Sequence, residues 1–459
     1  MAVNIPSAVL IDVTGGTESL DDVYVAVAAS GFPGNMARTG APGSYVYTII
    51  DNCVLRISSG GTLNMVDGDT LEWDLAGSQE SIDIRSGGVF NATTNCTLIG
   101  DKNDTHSADI EIEGIFNLIG TSGNEVIMEQ WDDIFWTCFA GNGPSAWDYV
   151  ICRNPVPTES GGVMMYMYLT EMAEDYAHSF TNVTFSSDDD RGRLYLYGDL
   201  SEITFDNIII DNIYEGVYGQ ALFKFSNSTF QNIYNIAQYQ RGCNMSLPYK
   251  SSEAGAFPQG RDFLQQPKIT YDNCIFDNNY TRGTTRAAGY TVYQTTIKYK
   301  DCTFQNANYG IMIYYGANTL LQGTTTNTCT DPLYWSGSRG KLFHVFALNL
   351  TIQDQSENVI PDARVVVSQS EDNEHHAFIT NEDGQIKDLY QDDPVFVEKE
   401  ETNDGVYTQW SDSISSGRYH NIKVMKDGYQ VWTKNVEFIQ DQTIIAKMLP
   451  ITSTRFLPQ

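Results

Sequence analysis

The sequence predicts an all-β chain: a right-handed parallel β-helix over its first three quarters, followed by one small β-sandwich. Three observations predict it. A phrase of eight residues recurs, apolar at its first and sixth positions and Asn at its third and eighth. Gly and Tyr are frequent while Pro is modest, a balance that disfavours long α-helices. After Gly340 the phrase gives way to ordinary alternating strands separated by turns.

Residues 1–49 read as an amino-terminal cap. Ser19, Leu20, Asp21 and Asp22 open a short helix with Leu20, Val23, Tyr24 and Val27 on one face. Asp22 stands three residues after Ser19, the spacing of a capping box, and Gly31 and Pro33 end the segment. A rod of stacked strands leaves open edges at its mouths, so an element that closes one is expected here.

Residues 50–340 carry the repeat. It reads Phe205-Asp206-Asn207-Ile208-Ile209-Ile210-Asp211-Asn212, and again from Phe225, Tyr271 and Tyr299, with weaker copies from Phe180, Thr93 and Ile50. Apolar residues at alternate positions describe a short strand stacked on the next coil, and Asn at the turn can hydrogen-bond along the stack. The third positions, Asn52, Asn95, Asn182, Asn207, Asn227, Asn273 and Asp301, are separated by 43, 87, 25, 20, 46 and 28 residues. Read as multiples of about 22 to 23, these gaps imply about 11 coils and a rod of about 50 Å. Two stretches, 155–178 and 237–268, break the period and are candidate recognition loops.

Residues 341–450 follow as alternating strands over Phe346–Ile352, Ala363–Val367, His376–Thr380, Asn421–Met425 and Gln430–Val436, with 451–459 as a tail. The phrase Asn358-Val359-Ile360-Pro361-Asp362-Ala363-Arg364-Val365-Val366-Val367, then Thr380-Asn381-Glu382-Asp383-Gly384-Gln385-Ile386, resembles the carboxypeptidase regulatory-like family. Val424-Met425-Lys426-Asp427-Gly428-Tyr429 suits the hairpin of that family. The resemblance implies a transthyretin-like, Ig-like sandwich that binds or spaces, and no activity.

Asp and Glu number 58 against 27 Lys and Arg, a formal charge of -31 that repels phosphate backbones and anionic lipid heads. Nucleic acid and membrane insertion are therefore not expected. The start of the chain shows neither a basic region nor a long apolar core, so neither a signal peptide nor a transmembrane segment is expected. Of eight cysteines, Cys53, Cys96, Cys274 and Cys302 fall at the fourth position of the phrase, which reads as stacked, buried, reduced thiols. Eight Asn-X-Ser/Thr sites, Asn91, Asn103 and Asn279 among them, read as coincidence in an Asn- and Thr-rich chain. Ladder positions at Asn95, Asn182 and Asn227 weigh against glycosylation there.

Chemistry is sparse in the linear sequence. Asp188, Asp189 and Asp190, beside Arg191 and Arg193, form the best local cluster for a calcium or sugar site, yet carboxylates before Gly192 also describe a solvated turn. Glu171, Glu174 and Asp175 are no stronger. His375 and His376 are adjacent and point to opposite faces of a strand, so they cannot share one ion. Asp67-Gly68-Asp69 lacks the remaining ligands of an EF-hand loop. No phosphate loop, nucleophile elbow or paired Cys-X-X-Cys occurs, so no catalytic, cofactor-binding or metal-ligating residue is assigned and no cofactor is expected. Any active site must be assembled across coils.

A capped solenoid joined to such a sandwich resembles tailed-virus surface proteins of the tail fibre, tailspike or capsid-fibre kind. That resemblance implies a structural and adhesive part of the virion surface, contacting other virion proteins and host-surface polysaccharide. The other reading is a carbohydrate-active β-helix enzyme, a polysaccharide lyase or glycoside hydrolase, and the linear motifs lean away from catalysis. Self-association as a homotrimer is expected through outward aromatics over Met164–Tyr168 and over Tyr309–Tyr315, with Ile311 and Ile313 facing inward.

Overall fold

The computed structural model describes residues 3–50, 52–77, 79–103, 106, 108–131, 133–137, 144–154, 165–169, 178–188, 192, 194–198, 203–213, 215–220, 223–233, 236–240, 269–277, 287–291, 296–314, 318–323, 326–336, 341–369, 375–386, 395–402 and 419–451. These residues form an all-β chain with one α-helix, and most of its strands pair in parallel. Most coils contribute three strands, and in two of them one longer strand, Ala146–Arg153 or Ser179–Ser186, serves both the second and the third face, so the stack has three faces. One coil runs through Val54–Ile57, Gly61–Met65 and Thr70–Asp74, and the next through Gln79–Ile84, Val89–Ala92 and Thr97–Ile99. Each strand pairs with its counterpart one coil later: Leu55 with Ile82, Leu63 with Phe90, Leu71 with Leu98. The first face is a thirteen-stranded sheet from Val3–Ser7 to Asp331–Ser336.

The repeated Asn has a conformational cause beyond the ladder. Asn95, Asn182, Asn207, Asn227, Asn273 and Asp301 all adopt the left-handed region at φ between 51° and 58°. They turn the chain from the second face to the third in a single residue. Asn154, Asn212, Asn232 and Asn306 do the same at the end of the third-face strand, at φ between 50° and 58°. A β-carbon normally clashes there, and Asn is among the few residues that tolerate it. The ladder exists as well: Asn207 Nδ2 donates to Asn182 Oδ1 at 2.5 Å, and Asn273 Nδ2 to Asn227 Oδ1 at 2.8 Å.

Coil length varies more than the spacing implies. Phe205 pairs directly with Phe225, and Phe225 directly with Tyr271, so gaps of 20 and 46 residues each make one coil. The longer one carries the whole of 237–268, of which only 237–240, in the strand Ile236–Gln240, belong to the described residues. The 87 residues from Asn95 to Asn182 make three coils, through Ile127 and Ile151. Nine steps therefore separate Ser44–Ile50 from Thr303–Gln305 on the third face, fewer than the eleven expected. At about 4.8 Å a step that span is roughly 43 Å.

The first and sixth positions of the phrase build two aromatic columns. Phe180, Phe205, Phe225, Tyr271 and Tyr299 stack face to face at 4.5–5.6 Å between centroids. Phe230, Phe276 and Phe304 stack beside them at 4.8 and 4.9 Å, and the columns meet edge to face. Upstream, the indoles of buried Trp73, Trp131 and Trp147 each donate to a backbone carbonyl of the preceding coil, on Cys53, Leu98 and Phe116. The polar handle of each of these three indoles is thus satisfied inside the core.

Open edges are closed by a change of strand direction as well as by a helix. The helix Leu20–Ala28 has the capping box at Ser19 and Asp22 and buries Leu20, Val23, Ala26 and Val27. Val3–Ser7 runs antiparallel on Leu10–Val13, and Met36–Ala41 antiparallel on Ser44–Ile50. At the other end Lys341–Gln353 is the last strand of the second face, in parallel with Asn318–Gln322, and its other edge is covered by antiparallel Val395–Thr402. An antiparallel partner ends a parallel stack because it offers no register for another coil.

The same Lys341–Gln353 strand continues into a second hydrophobic cluster. Its distal half pairs in parallel with Gln442–Lys447, a strand the alternation pattern does not reveal. Phe346, Leu348, Leu350 and Ile352 bury one side against Val365, Val367, Ile422, Val424 and Val436 of a four-stranded antiparallel sheet.

The described cysteines, Cys53, Cys96, Cys152, Cys274, Cys302 and Cys329, are free and buried. Cys96, Cys274 and Cys302 share one address, immediately before a third-face strand. Cys53 does not: it precedes Val54–Ile57 on the first face. Gly68, at φ +83°, holds the corner position in that coil that Asn52 was expected to hold.

Candidate functional site

Two surface arrangements on the first coils bring functional groups together. The first lies on the outer side of the first face. There the alternation Ile82-Asp83-Ile84-Arg85 and Ile110-Glu111-Ile112-Glu113 buries isoleucines and turns charges outward. Register aligns Asp12, Arg56, Asp83 and Glu111 in one row across four strands. A bulge at Ser81 sets Glu80 opposite Asp109 in a second row.

Asp83 is fully buried although it points away from the core. Arg56 Nε and Arg85 Nε both donate to its Oδ2 at 2.7 Å. Arg85 Nε lies 2.7 Å from Oδ1 too, but that atom makes no hydrogen bond. Arg85 Nη1 also reaches Glu113 Oε1 at 3.4 Å. One carboxylate oxygen from each of Glu80, Asp83 and Glu111 falls within 4.8 Å of the others. Burial, then the charges of Asp83 and Glu111, push Glu80 up to about 7. Burial likewise raises Glu111, against the opposing pull of Arg85. The nearest oxygens of these carboxylates are closer together than the roughly 5–5.5 Å of retaining and the 6.5–9.5 Å of inverting glycosidase pairs.

The second arrangement is a groove of about 510 Å³ along the second face, lined by Asn64, Asn91 and Asn117 with Val66, Thr93 and Ile119 at its sides. The three amides occupy one register row. Asn91 Nδ2 donates to Asn64 Oδ1 at 2.8 Å, Asn117 Nδ2 to Asn91 Oδ1 at 3.0 Å, and Ala146 N closes the row on Asn117 Oδ1 at 3.0 Å. Each amide has two N–H donors, and the row uses one each from Asn91 and Asn117 and none from Asn64. Val66, just past the strand Gly61–Met65, and Ile119, at the end of Ile115–Ile119, are 51% and 41% exposed, high for side chains of this type. Asp67 at the rim accepts from Thr94 Oγ1 and Asn95 Nδ2. Asp69, 2% exposed, accepts instead from Val66 N, so Asp67-Gly68-Asp69 is a coil corner.

Most residues of the clusters nominated from sequence lie outside the described residues. Asp188 pairs reciprocally with Asn154, accepting from Nδ2 at 3.1 Å and donating its backbone N–H to Oδ1 at 2.9 Å. Asp189, Asp190, Arg191 and Arg193 lie outside the described residues, as do Glu171, Glu174 and Asp175. His375 and His376 stand on His375–Ile379 opposite Ser368 and Val367 in consecutive register positions. Ile311 and Ile313 are buried, while Tyr309 meets the exposed Tyr334 of the next coil at 4.7 Å between ring centroids. Met164 lies outside the described residues.

No protein-family model and no curated protein sequence matches the chain. A solved structure of a mutant periplasmic alginate epimerase superposes with a TM-score of 0.38 at 10% identity, covering 72% of this chain and 85% of that one. No helix among the described residues is long and apolar enough to cross a membrane.

Proposed function

We propose that this protein is a carbohydrate-binding surface solenoid that holds a polysaccharide chain lengthwise in the groove of Asn64, Asn91 and Asn117. The observation that carries the reading is the repetition of one amide per coil, flanked by exposed Val66 and Ile119. Sugars are recognised by planar amides that exchange hydrogen bonds with hydroxyls and by apolar side chains that meet the ring faces. Amides spaced by about one coil rise, roughly 4.8 Å, match the repeat of an extended pyranose chain. With a formal charge of -31, the protein favours neutral or zwitterionic polymers.

In this reading the right-handed β-helix is the binding shaft, and the carboxyl-terminal strands form a carboxypeptidase regulatory-like spacer. The setting that suits them is adhesive, at the surface of a virion of the tail fibre or tailspike kind, as a trimer against other virion proteins. Cleavage is the competing role, and the same assay separates the two. Immobilised neutral polysaccharides should retain the protein, and Ile119→Asp with Val66→Asp should weaken retention about tenfold, equivalent to about 1.4 kcal/mol. Equal retention of the double variant, or none by any polymer, removes the groove from the reading. Release of reducing or unsaturated ends by the wild type makes the protein a carbohydrate-active enzyme instead.

A further inference from the structure

We infer that the outer side of the first face carries a site for a hard divalent cation of calcium size, held by Glu80, Asp83 and Glu111 with the Ser81 hydroxyl. Three carboxylates contribute one oxygen each, all within 4.8 Å of one another. Calcium–oxygen bonds of about 2.3–2.6 Å place ligands on opposite sides of an ion up to roughly 5 Å apart, so one ion spans this set. The donors are oxygen alone, without imidazole or thiolate, which selects calcium over zinc or copper.

The cluster is more than surface acidity, because several of its polar atoms are buried without a hydrogen bond. Asp83 is fully buried, and both its arginines donate to Oδ2, while Oδ1 lies 2.7 Å from Arg85 Nε without a hydrogen bond to it. Ser81 is fully buried and its Oγ has no partner; Glu80 Oε1 is likewise buried and unpartnered. The bulge explains why they converge. Asp109 alternates with inward Ile110, so Glu80 opposite it faces outward. Ser81 faces outward too, by alternation with buried Ile82. Each such atom carries a desolvation cost that a cation would remove. Arg56 and Arg85 fix the Asp83 carboxylate in place and leave the cluster net negative.

The test uses the full chain, stripped with chelator and titrated with calcium chloride by calorimetry and by thermal melting. One ion per chain is expected at a Kd of about 10⁻⁴ M, in the range of exposed extracellular sites. Glu80→Gln and Glu111→Gln should each weaken it at least tenfold and abolish the calcium-induced rise in Tm, and Ser81→Ala should weaken it a few-fold. Circular dichroism checks that each variant folds, and either Gln variant alone suffices. Absence of binding at millimolar calcium overturns the inference. So does binding unchanged in both Gln variants, which would place the ion elsewhere on an acidic surface. A wild type indifferent to calcium but stabilised by Glu80→Gln above pH 7 would show that the cluster holds a proton only.

Discussion

Asn227 tests why the corner residue is Asn. It is exposed, at φ 51°, and its side chain donates to Asp206 Oδ1 and accepts from Asn273 Nδ2, both at 2.8 Å. Asn227→Ala keeps a β-carbon in the left-handed region, at a cost of about 1–2 kcal/mol. It also loses two exposed hydrogen bonds worth roughly 0.5 kcal/mol each, for a total of about 2–3 kcal/mol. Asn227→Gly loses the same bonds but not the conformational freedom, and its extra chain entropy returns only about 0.5–1 kcal/mol of the difference. Gly should therefore exceed Ala in stability at this site by roughly 0.5–1 kcal/mol. At Ser226, one residue earlier and in a strand, the order should reverse. Urea-unfolding midpoints followed by aromatic fluorescence at matched slopes measure both comparisons. If Ala is as stable as Gly at position 227, the backbone does not select the residue and the amide ladder alone explains it.

Three further outcomes are expected. Burial holds His178 down at about 4, where its Nδ1 accepts from Ser145 N–H at 3.2 Å. The unfolded chain binds this proton below about 6.5, so stability should fall as pH drops from about 6.5 toward 4, by up to roughly 3 kcal/mol. His178→Gln should flatten that slope in acid-unfolding curves, and an unchanged slope refutes the assignment. Thiol titration should find few reactive groups in the native protein and all eight after denaturation without reductant. Four or fewer would mean disulfides. Native mass measurement should give close to three times the 51.2 kDa chain, and a monomer at micromolar concentration refutes the trimer.

The phrase from Phe205 to Asn212 was legible because its first, third, fourth, sixth and eighth positions each have one physical duty: buried column, left-handed corner or inward residue. Coil length was not, because an excursion between the first and second faces, as between Gln240 and Ile269, leaves strand pairing untouched and adds no signal of its own. Treating 46 residues as two coils followed from that. Cys53 was misplaced for a related reason, since Ile50-Asp51-Asn52-Cys53 fits the phrase but leads into a first-face strand. The carboxylate site was hidden because Glu80 and Asp83 stand 31 and 28 residues before Glu111 and meet only through register. Stacking the coils as rows would have exposed the run Asp12, Arg56, Asp83, Glu111. The bulge at Ser81 that brings Glu80 into reach has no signature in Gln79-Glu80-Ser81-Ile82.

Lys341–Gln353 gives the molecule an unusual route for mechanical load. Five residues of this strand, Lys341–Val345, are paired along Asn318–Gln322, and six more, Leu348–Gln353, along Gln442–Lys447. Tension applied between the two ends of the chain therefore arrives as shear along both ladders, where several hydrogen bonds must fail together rather than unzip singly. No slack linker lies between Val345 and Leu348 to absorb it. A pull on the carboxyl-terminal strands is transmitted to the stack as a stiff rod transmits torque, so the cluster built on Phe346–Ile352 should resist extension longer than a tethered bead of the same size.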